Sequence, residues 1–180
     1  MDDEEFVAQL AQFSSLEQLT NISSGVDGLT TAMSRQELIN TATYIGKDIT
    51  AAGYGISKSK DKISDVYYEF GEEISSGQVN IFDANNNIVR TELIDGKAAG
   101  RWPYSWDGKD YKGKDMPDGV YNIYISAENA EGKPVLVNTD ISGTVKAIQN
   151  SDGKTYLSLG DGRMVDFSNV KYVVNPEIKN

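Results

Sequence analysis

WDGKDYKG (residues 106–113) and MPDGVY (residues 116–121) are the most strongly patterned segments of this chain. Their two Asp-Gly pairs and single Pro are typical of tight turns between strands. Trp106 precedes the first turn, and we expect its ring to lie inside a sheet. We expect the Asp side chains to bond backbone amides of the turns rather than to hold a metal or to act in catalysis. The stretch therefore predicts a β-rich domain anchored by Trp106.

Short strands with alternating apolar residues are predicted on both sides of this stretch. The strand directly after it has one apolar face, made by Tyr121, Ile123, Ile125 and Ala127. The other predicted strands are residues 44–49, 66–70, 78–82, 88–93, 135–141, 144–148, 156–159, 164–167 and 170–174. The last four of these are separated by turns rich in Asn, Asp and Gly. Strands so closely spaced are typical of a small barrel.

The segment DANNN (residues 83–87) separates two of these strands and begins like a calcium-binding loop. However, Ile88 stands where such a loop needs Gly, and Ile94 stands in place of the bidentate Glu. Asn and Asp also favour hairpin turns, because their side chains bond their own backbone. We therefore predict a plain hairpin here and no metal site.

An amphipathic helix is predicted at residues 1–40. Its apolar residues recur at spacings of three and four, and they are Phe6, Leu10, Phe13, Leu16, Leu19, Ile22, Val26, Leu29 and Met33. The phase of the pattern slips between Phe13 and Leu19, which would disturb a supercoil or break the helix. Two interpretations are open: the stripe packs on its own domain, or it packs on other subunits. We favour other subunits, because the chain has no second long apolar helix.

Composition disfavours several classes of function. The formal charge is −10, which repels nucleic acid and anionic membrane surfaces. The chain has neither Cys nor His, so thiol nucleophiles, Ser-His-Asp triads and Cys/His zinc sites are excluded. We expect no enzyme activity and no cofactor. The helix begins almost at Met1, so we also expect the chain to be a fragment with any export signal upstream.

The segment EFVAQLAQFSSLEQL (residues 5–19) closely resembles the signature of flagellar hook-capping proteins, also called basal-body rod modification proteins. The pattern from Trp106 to Tyr121 resembles the immunoglobulin-like or fibronectin-III-like domain of that family. The segment YIGK (residues 44–47) and the closing strands resemble its Tudor-like, SH3-type barrel. The resemblance therefore covers nearly the whole chain.

This resemblance implies a mostly β chain in which a β-sandwich is inserted into a discontinuous barrel. A helical oligomerisation segment would occupy residues 1–40, and the Tudor-like barrel residues 41–57 and 141–180. The fibronectin-III/immunoglobulin-like sandwich would occupy residues 58–140. The polar segment SKSKDK (residues 57–62) has no apolar face, which is consistent with a crossing between the two domains.

The resemblance also implies a scaffold at the distal end of the growing hook, exported through the flagellar secretion channel. Its partners would be the hook protein and further copies of itself, in a cap that is pentameric in the family. The helix stripe would assemble the cap, and no nucleic acid, membrane insertion, metal or cofactor would be involved.

Two binding modules are alternatives to the scaffold. Tudor barrels elsewhere hold methylated Lys or Arg in an aromatic cage, for which the rings available are Tyr44, Tyr54, Tyr156, Phe167 and Tyr172. Such a cage needs three or four exposed rings that converge on an acidic pocket. A carbohydrate-binding sandwich would instead use Trp102, Tyr104 and Trp106, although their alternate spacing also suits packing in a core.

Overall fold

The computed structural model describes residues 2–174, which form one helix followed by thirteen strands. The helix is α1 (Asp2–Thr41), and the strands are β1 (Asp48–Ala52), β2 (Gly55–Ser59), β3 (Lys62–Ile63), β4 (Val66–Phe70), β5 (Ile74–Phe82), β6 (Ile88–Lys97), β7 (Gly100–Tyr104), β8 (Gly119–Glu128), β9 (Pro134–Val135), β10 (Val137–Ser151), β11 (Lys154–Leu159), β12 (Met164–Asp166) and β13 (Val170–Val174). Residues 175–180, assigned above to the barrel, lie outside the described residues. The chain is therefore mostly β with an N-terminal helix, as predicted.

Helix α1 runs for 40 residues without a break. Neither the phase slip nor Gly25 and Gly28 interrupts it. A Gly costs about 1 kcal/mol in a helix interior relative to Ala, but it keeps the amide hydrogen that Pro lacks, and α1 contains no Pro. At about 1.5 Å per residue, the helix is about 60 Å long.

The first sheet is organised around β10, a strand of 15 residues. The strand order is β12-β11-β10-β1-β13, and β4 also pairs with β10 and carries β7 on its other side. Successive parts of β10 pair with β4 (residues 137–141), β1 (residues 140–144) and β11 (residues 145–151), always antiparallel. A single strand therefore connects the β4–β7 pair to the C-terminal strands.

The second sheet has the order β3-β2-β8-β5-β6, with β9 added to one end of β8. The predicted inward face of β8 is confirmed, because its four apolar residues are buried: Tyr121, Ile123, Ile125 and Ala127. Trp106 is 3% exposed, and its ring packs on Tyr121 with centroids 4.7 Å apart. The buried residues of both sheets belong to one hydrophobic cluster.

The strand predicted at residues 44–49 lies further along the chain. Tyr44 belongs to a 3-10 turn (Ala42–Tyr44), and β1 begins only at Asp48. Gly46 has a φ of +84°, which turns the chain between the two. The Tyr44 ring packs edge-on against Phe167 at 5.2 Å. The alternation of apolar residues suggested a strand here, because this pattern does not reveal the backbone turn at Gly46.

The segment at residues 57–62, which was predicted to be a crossing between domains, forms the β2–β3 hairpin of the second sheet. Ser59 pairs with Lys62 there, and the Lys60 amide donates to Asp118 Oδ1 at 2.8 Å. The chain passes from the first sheet to the second at Gly53 and Tyr54. The Gly53 amide donates to Thr139 O at 3.0 Å, whereas Tyr54 O accepts from the Ile123 amide at 2.8 Å. The absence of an apolar face in this segment reflects an exposed hairpin and not a linker.

A buried arginine joins the two sheets where the chain passes between them. Arg163 is 2% exposed, and its guanidinium donates to Gly55 O in β2 at 3.2 Å and to Ser142 O in β10 at 2.6 Å. Asp161 Oδ2 accepts from Arg163 Nε at 2.9 Å, and Asp161 O accepts from Ser57 Oγ at 2.6 Å. The β11–β12 loop is therefore fixed to a strand of each sheet.

Candidate assembly surface

The nine apolar residues of the predicted stripe all lie on the exposed surface of α1. Phe6, Leu10, Phe13, Leu16, Leu19, Ile22, Val26, Leu29 and Met33 are between 53% and 69% exposed. The described β-strands therefore leave the whole stripe uncovered. Groups of exposed large apolar side chains are typical of surfaces that contact another molecule.

Among the residues that the structure describes, α1 is buried against the β-strands near its C-terminal end. Thr41 is completely buried there, and its hydroxyl donates to Glu37 O at 2.9 Å and to Leu38 O at 3.0 Å. The groove beside this end of the helix is lined by Met33, Gln36, Glu37, Asn40, Thr43, Tyr44 and Phe167. The Tyr44–Phe167 pair thus connects the C-terminal end of the helix to the residues that precede β13.

Three exposed large apolar residues of α1 were not in the predicted stripe. They are Val7, Leu38 and Ile39, which are 63%, 37% and 65% exposed. Val7 lies three residues before Leu10, so helical spacing alone was sufficient to find it. No helix within residues 2–174 is long and apolar enough to cross a membrane.

The calcium-like segment forms the predicted hairpin turn. Asp83 Oδ1 accepts from the amides of Asn85 at 2.9 Å and Asn87 at 2.8 Å. Asp83 Oδ2 accepts from Asn87 Nδ2 at 3.0 Å. These hydrogen bonds, with that from the Asn87 side chain as the strongest, lower the pKa of Asp83 below its ordinary value. Both oxygens of the Asp83 carboxylate therefore accept hydrogen bonds within the turn.

The Asp residues of the WDGKDYKG segment have the same structural role, as predicted. Asp107 Oδ1 accepts from the Lys109 amide at 2.9 Å. Asp110 Oδ1 accepts from the amides of Lys112 and Lys114 at 2.8 and 2.9 Å. The bond from the Lys114 amide contributes most to lowering the pKa of Asp110. These carboxylates shape the loop that covers Trp106.

The five rings considered for an aromatic cage do not converge. Tyr44 and Phe167 are in contact beside the C-terminal end of the helix. Tyr54 lines a different groove, beside Phe82 and Tyr124. Among the described residues, Tyr44–Phe167 is the only pair of the five in ring contact. A cage for a methylated cation is not favoured by this arrangement.

The three aromatic residues considered for sugar binding are used in packing and internal hydrogen bonds. Trp106 is buried, and its Nε1 donates to Lys109 O at 3.0 Å. Tyr104 Oη donates to Glu92 Oε2 at 3.0 Å, and burial, with the Glu92 charge as a second cause, raises the pKa of Tyr104 far above its ordinary value. Trp102 lies beneath Lys97 Nζ at 4.5 Å from the ring centre. They form no open platform.

Comparisons with known proteins give one consistent result. Residues 53–131 match the family model of the FlgD Ig-like domain. The chain is 26% identical over 161 residues to basal-body rod modification protein FlgD of Buchnera aphidicola, covering 89% of this chain and 68% of that protein. It is 24% identical over 181 residues to FlgD of Escherichia coli K12, covering 97% of this chain and 78% of that protein.

Two solved structures share the fold. FlgD from P. aeruginosa superposes with a TM-score of 0.59 at 24% identity, over 72% of this chain and 97% of that one. FlgD from Xanthomonas campestris, described with reference to hook capping essential for flagellar assembly, gives a TM-score of 0.58 at 20% identity, over 76% of this chain and 99% of that one. The match at residues 53–131 and the curated relatives agree with this likeness: the chain is similar to FlgD, the basal-body rod modification protein, over most of its length.

Proposed function

We propose that this chain is a flagellar hook-capping scaffold that acts at the distal end of the growing hook and promotes polymerisation of hook subunits. It acts through contacts with other proteins and not through chemistry. The curated relatives are basal-body rod modification proteins, and one structural relative is described in terms of hook capping. The alternatives, an aromatic cage and a sugar-binding platform, have no comparable support.

The observation that carries this proposal is the exposed stripe on a helix that projects from the β-strands. Nine large apolar residues remain more than half exposed, although the strands bury a shared cluster of their own. A scaffold needs such a surface for its neighbours, since burial of apolar side chains is the main favourable term in protein association.

The finer description of the fold is part of the same proposal. The second sheet together with β4, β7 and the first part of β10 is a fibronectin-III/immunoglobulin-like sandwich. The remaining part of β10 with β1, β11, β12 and β13 is a Tudor-like, SH3-type barrel. Support comes from the match of residues 53–131 to an Ig-like domain. A 3-10 turn (Phe167–Asn169) before a last strand that pairs with β1 also suits an SH3-type barrel.

The proposed partners are the hook protein and further copies of this chain. By resemblance to the family, we expect the copies to form a pentameric cap. The proposed location is the distal hook tip, reached through the flagellar secretion channel. The surfaces of the β-strands carry many charged side chains, which suits contacts that form and release during assembly rather than one permanent apolar interface.

The double substitution Leu10→Asp and Phe13→Asp tests the proposal. Both side chains are exposed in the isolated chain, so the β-strands should remain folded. Assembly at the hook would require burial of two unpaired carboxylates, which is strongly unfavourable. We expect a strain that lacks the protein to form no hooks when it expresses this variant. Hook formation is measured by electron microscopy and folding by a thermal melt of the purified chain.

The matched control is Ser24→Asp with Thr31→Asp. It adds the same charge to α1 at positions that are also exposed, on the side of the helix opposite Ile22 and Leu29. Hooks should form normally with this control. Normal hooks with the Leu10/Phe13 variant would contradict the role of the stripe in capping.

A further inference from the structure

The apolar stripe of α1 changes sides halfway along the helix. An α-helix turns by about 100° per residue, so Phe6 and Leu10 each lie about 160° around the axis from Val26. Residues separated by such an angle cannot face the same straight neighbour. We call Phe6, Leu10 and Phe13 the distal face, and Leu19, Ile22, Val26, Leu29 and Met33 the proximal seam.

The continuity of α1 fixes this angle. Leu16 lies between the two surfaces, where the sequence pattern slips. A break at that point would allow the two halves to reorient and to present one common face. The helix instead continues through it without interruption. The distal face and the proximal seam therefore point to opposite sides of the same rod.

The two surfaces also differ in their spacing. The proximal seam alternates between three and four residues from Leu19 to Met33. This is the heptad pattern by which a helix packs side by side with another helix like itself. The distal face covers only one such repeat, because Glu17 stands at the next position where an apolar residue is needed.

The charges around the proximal seam favour a copy of the same helix. Helix α1 carries seven acidic side chains and one basic one, a formal charge of −6, so most pairings of two copies would bring like charges together. The flanking heptad positions of the seam are nevertheless all uncharged: Gln18, Ser23, Gly25, Thr30 and Ala32. Asp27 lies about 100° from Val26, away from the seam. Two seams can therefore meet without repulsion between the residues beside them.

Small residues beside the seam support the same conclusion. A Cβ added at Gly25 would meet nothing within 4 Å in the isolated chain, so the position has no packing role within one copy. Gly25 and Ala32 on one flank of the seam leave room for a second helix to approach closely.

We infer that the proximal seam is the surface through which copies of this chain associate with one another, side by side, and that the distal face is not part of that contact. This inference rests on the proposed function and divides its stripe into two surfaces. With the seams together, the distal faces point outward from the helix bundle. Substitutions at the distal face should then disturb hook formation without disturbing self-association.

Sedimentation velocity of the full chain over a range of concentrations tests the inference. We expect the weight-average mass of the unsubstituted chain to rise above 19.7 kDa with concentration. The variant with Ile22→Asp and Leu29→Asp should remain at the monomer mass, and the variant with Leu10→Asp and Phe13→Asp should associate as the unsubstituted chain does. Any one of three results would overturn the inference. These are loss of association in the Leu10/Phe13 variant, association of the Ile22/Leu29 variant, and an unsubstituted chain that stays monomeric.

Insertion of two Ala residues between Gln18 and Leu19 is a second test that removes no apolar side chain. Two residues rotate the second half of the helix by about 200°, which brings the distal face and the seam onto one side. The joined stripe buries additional large side chains, so association should occur at a concentration at least about tenfold lower. An unchanged concentration dependence would contradict the assignment of the two surfaces to opposite sides.

The two proposals fail in different experiments. Sedimentation reports only on the proximal seam, whereas hook formation in a strain that lacks the protein reports on hook capping. A chain that is monomeric at every concentration but supports normal hooks would overturn the seam and leave hook capping intact. Normal hooks in the strain that lacks the protein, with self-association of the purified chain through the seam, would overturn hook capping and leave the seam intact.

Discussion

Individual residues near β8 lie where the sequence predicts them when turn chemistry and burial agree. Trp106 was expected inside the sheet, and it is buried with its indole N–H bonded to Lys109 O. The polar end of the ring therefore has a partner, so the apolar part can be buried without an unpaired donor.

Replacement of Trp106 by Ala should lower the free energy of unfolding by about 3–5 kcal/mol, because it leaves a large cavity against Tyr121. Chemical denaturation measures this loss. Trp102→Ala is the control, since Trp102 is only partly buried and should cost clearly less. Equal losses for the two variants would contradict the assignment of Trp106 as the anchor.

Arg163 is the residue that the sequence did not identify. Nothing in the segment GDGR (residues 160–163) distinguishes it from an ordinary turn with a surface charge. Its environment comes from Gly55 and Ser142, which are distant in sequence and close only in the folded chain. A contact of this kind depends on where two sheets meet.

Replacement of Arg163 by Met keeps most of the side-chain volume but removes the donors to two carbonyl oxygens and to Asp161. We expect a loss of about 2–4 kcal/mol in the free energy of unfolding, measured with urea. The control is Lys154→Met, which removes an exposed pair with Asp166 at 3.7 Å and should cost less than about 1 kcal/mol. A loss no larger than that of the control would show that Arg163 does not hold the sheets together.

At the scale of elements, strands were predicted well and the helix in part. Strands β4 (Val66–Phe70) and β13 (Val170–Val174) have the predicted bounds, because alternation and flanking turns agree there. The slip in the apolar pattern of α1 suggested a possible break, yet the helix is continuous. The backbone of a helix depends on its own hydrogen bonds and on the absence of Pro, whereas the apolar pattern depends on the neighbours. A slip in the pattern therefore marks a change of partner more readily than an end of the helix.

At the scale of the whole molecule, the predicted discontinuous barrel remains a prediction, and the structure indicates where to test it. Strand β1 pairs with β10 up to Ala52 and Asp140, so these two residues are neighbours although 88 positions separate them in the sequence. Strand β10 continues through this point instead of ending at a linker. Strand β10 therefore belongs to both of the proposed β units, and a shared strand would restrict movement between them more than two flexible connections would.

Deletion of residues 54–138, with a short Asn-Gly turn in their place, should leave a folded barrel remnant. The ends already lie side by side, since the Gly53 amide donates to Thr139 O at 3.0 Å, and a two-residue turn suits such an antiparallel pair. Circular dichroism and a cooperative thermal transition are the measurements. An unfolded remnant beside a stable full chain would contradict the insertion of the sandwich into a barrel.

Features that depend on neighbours along the chain could be predicted from the amino-acid sequence. These are the helix and its apolar stripe, most of the strands, the turns built by Asp83 and Asp110, and the resemblance to hook-capping proteins. Three features appear only in the folded chain: β10 pairs in turn with β4, β1 and β11, Arg163 is buried between the sheets, and the stripe is left uncovered on two sides of one unbroken helix. The physical reason is that period and turn chemistry act over a few residues. The sharing of a strand, the burial of a charge and the exposure of a face instead depend on which distant segments meet.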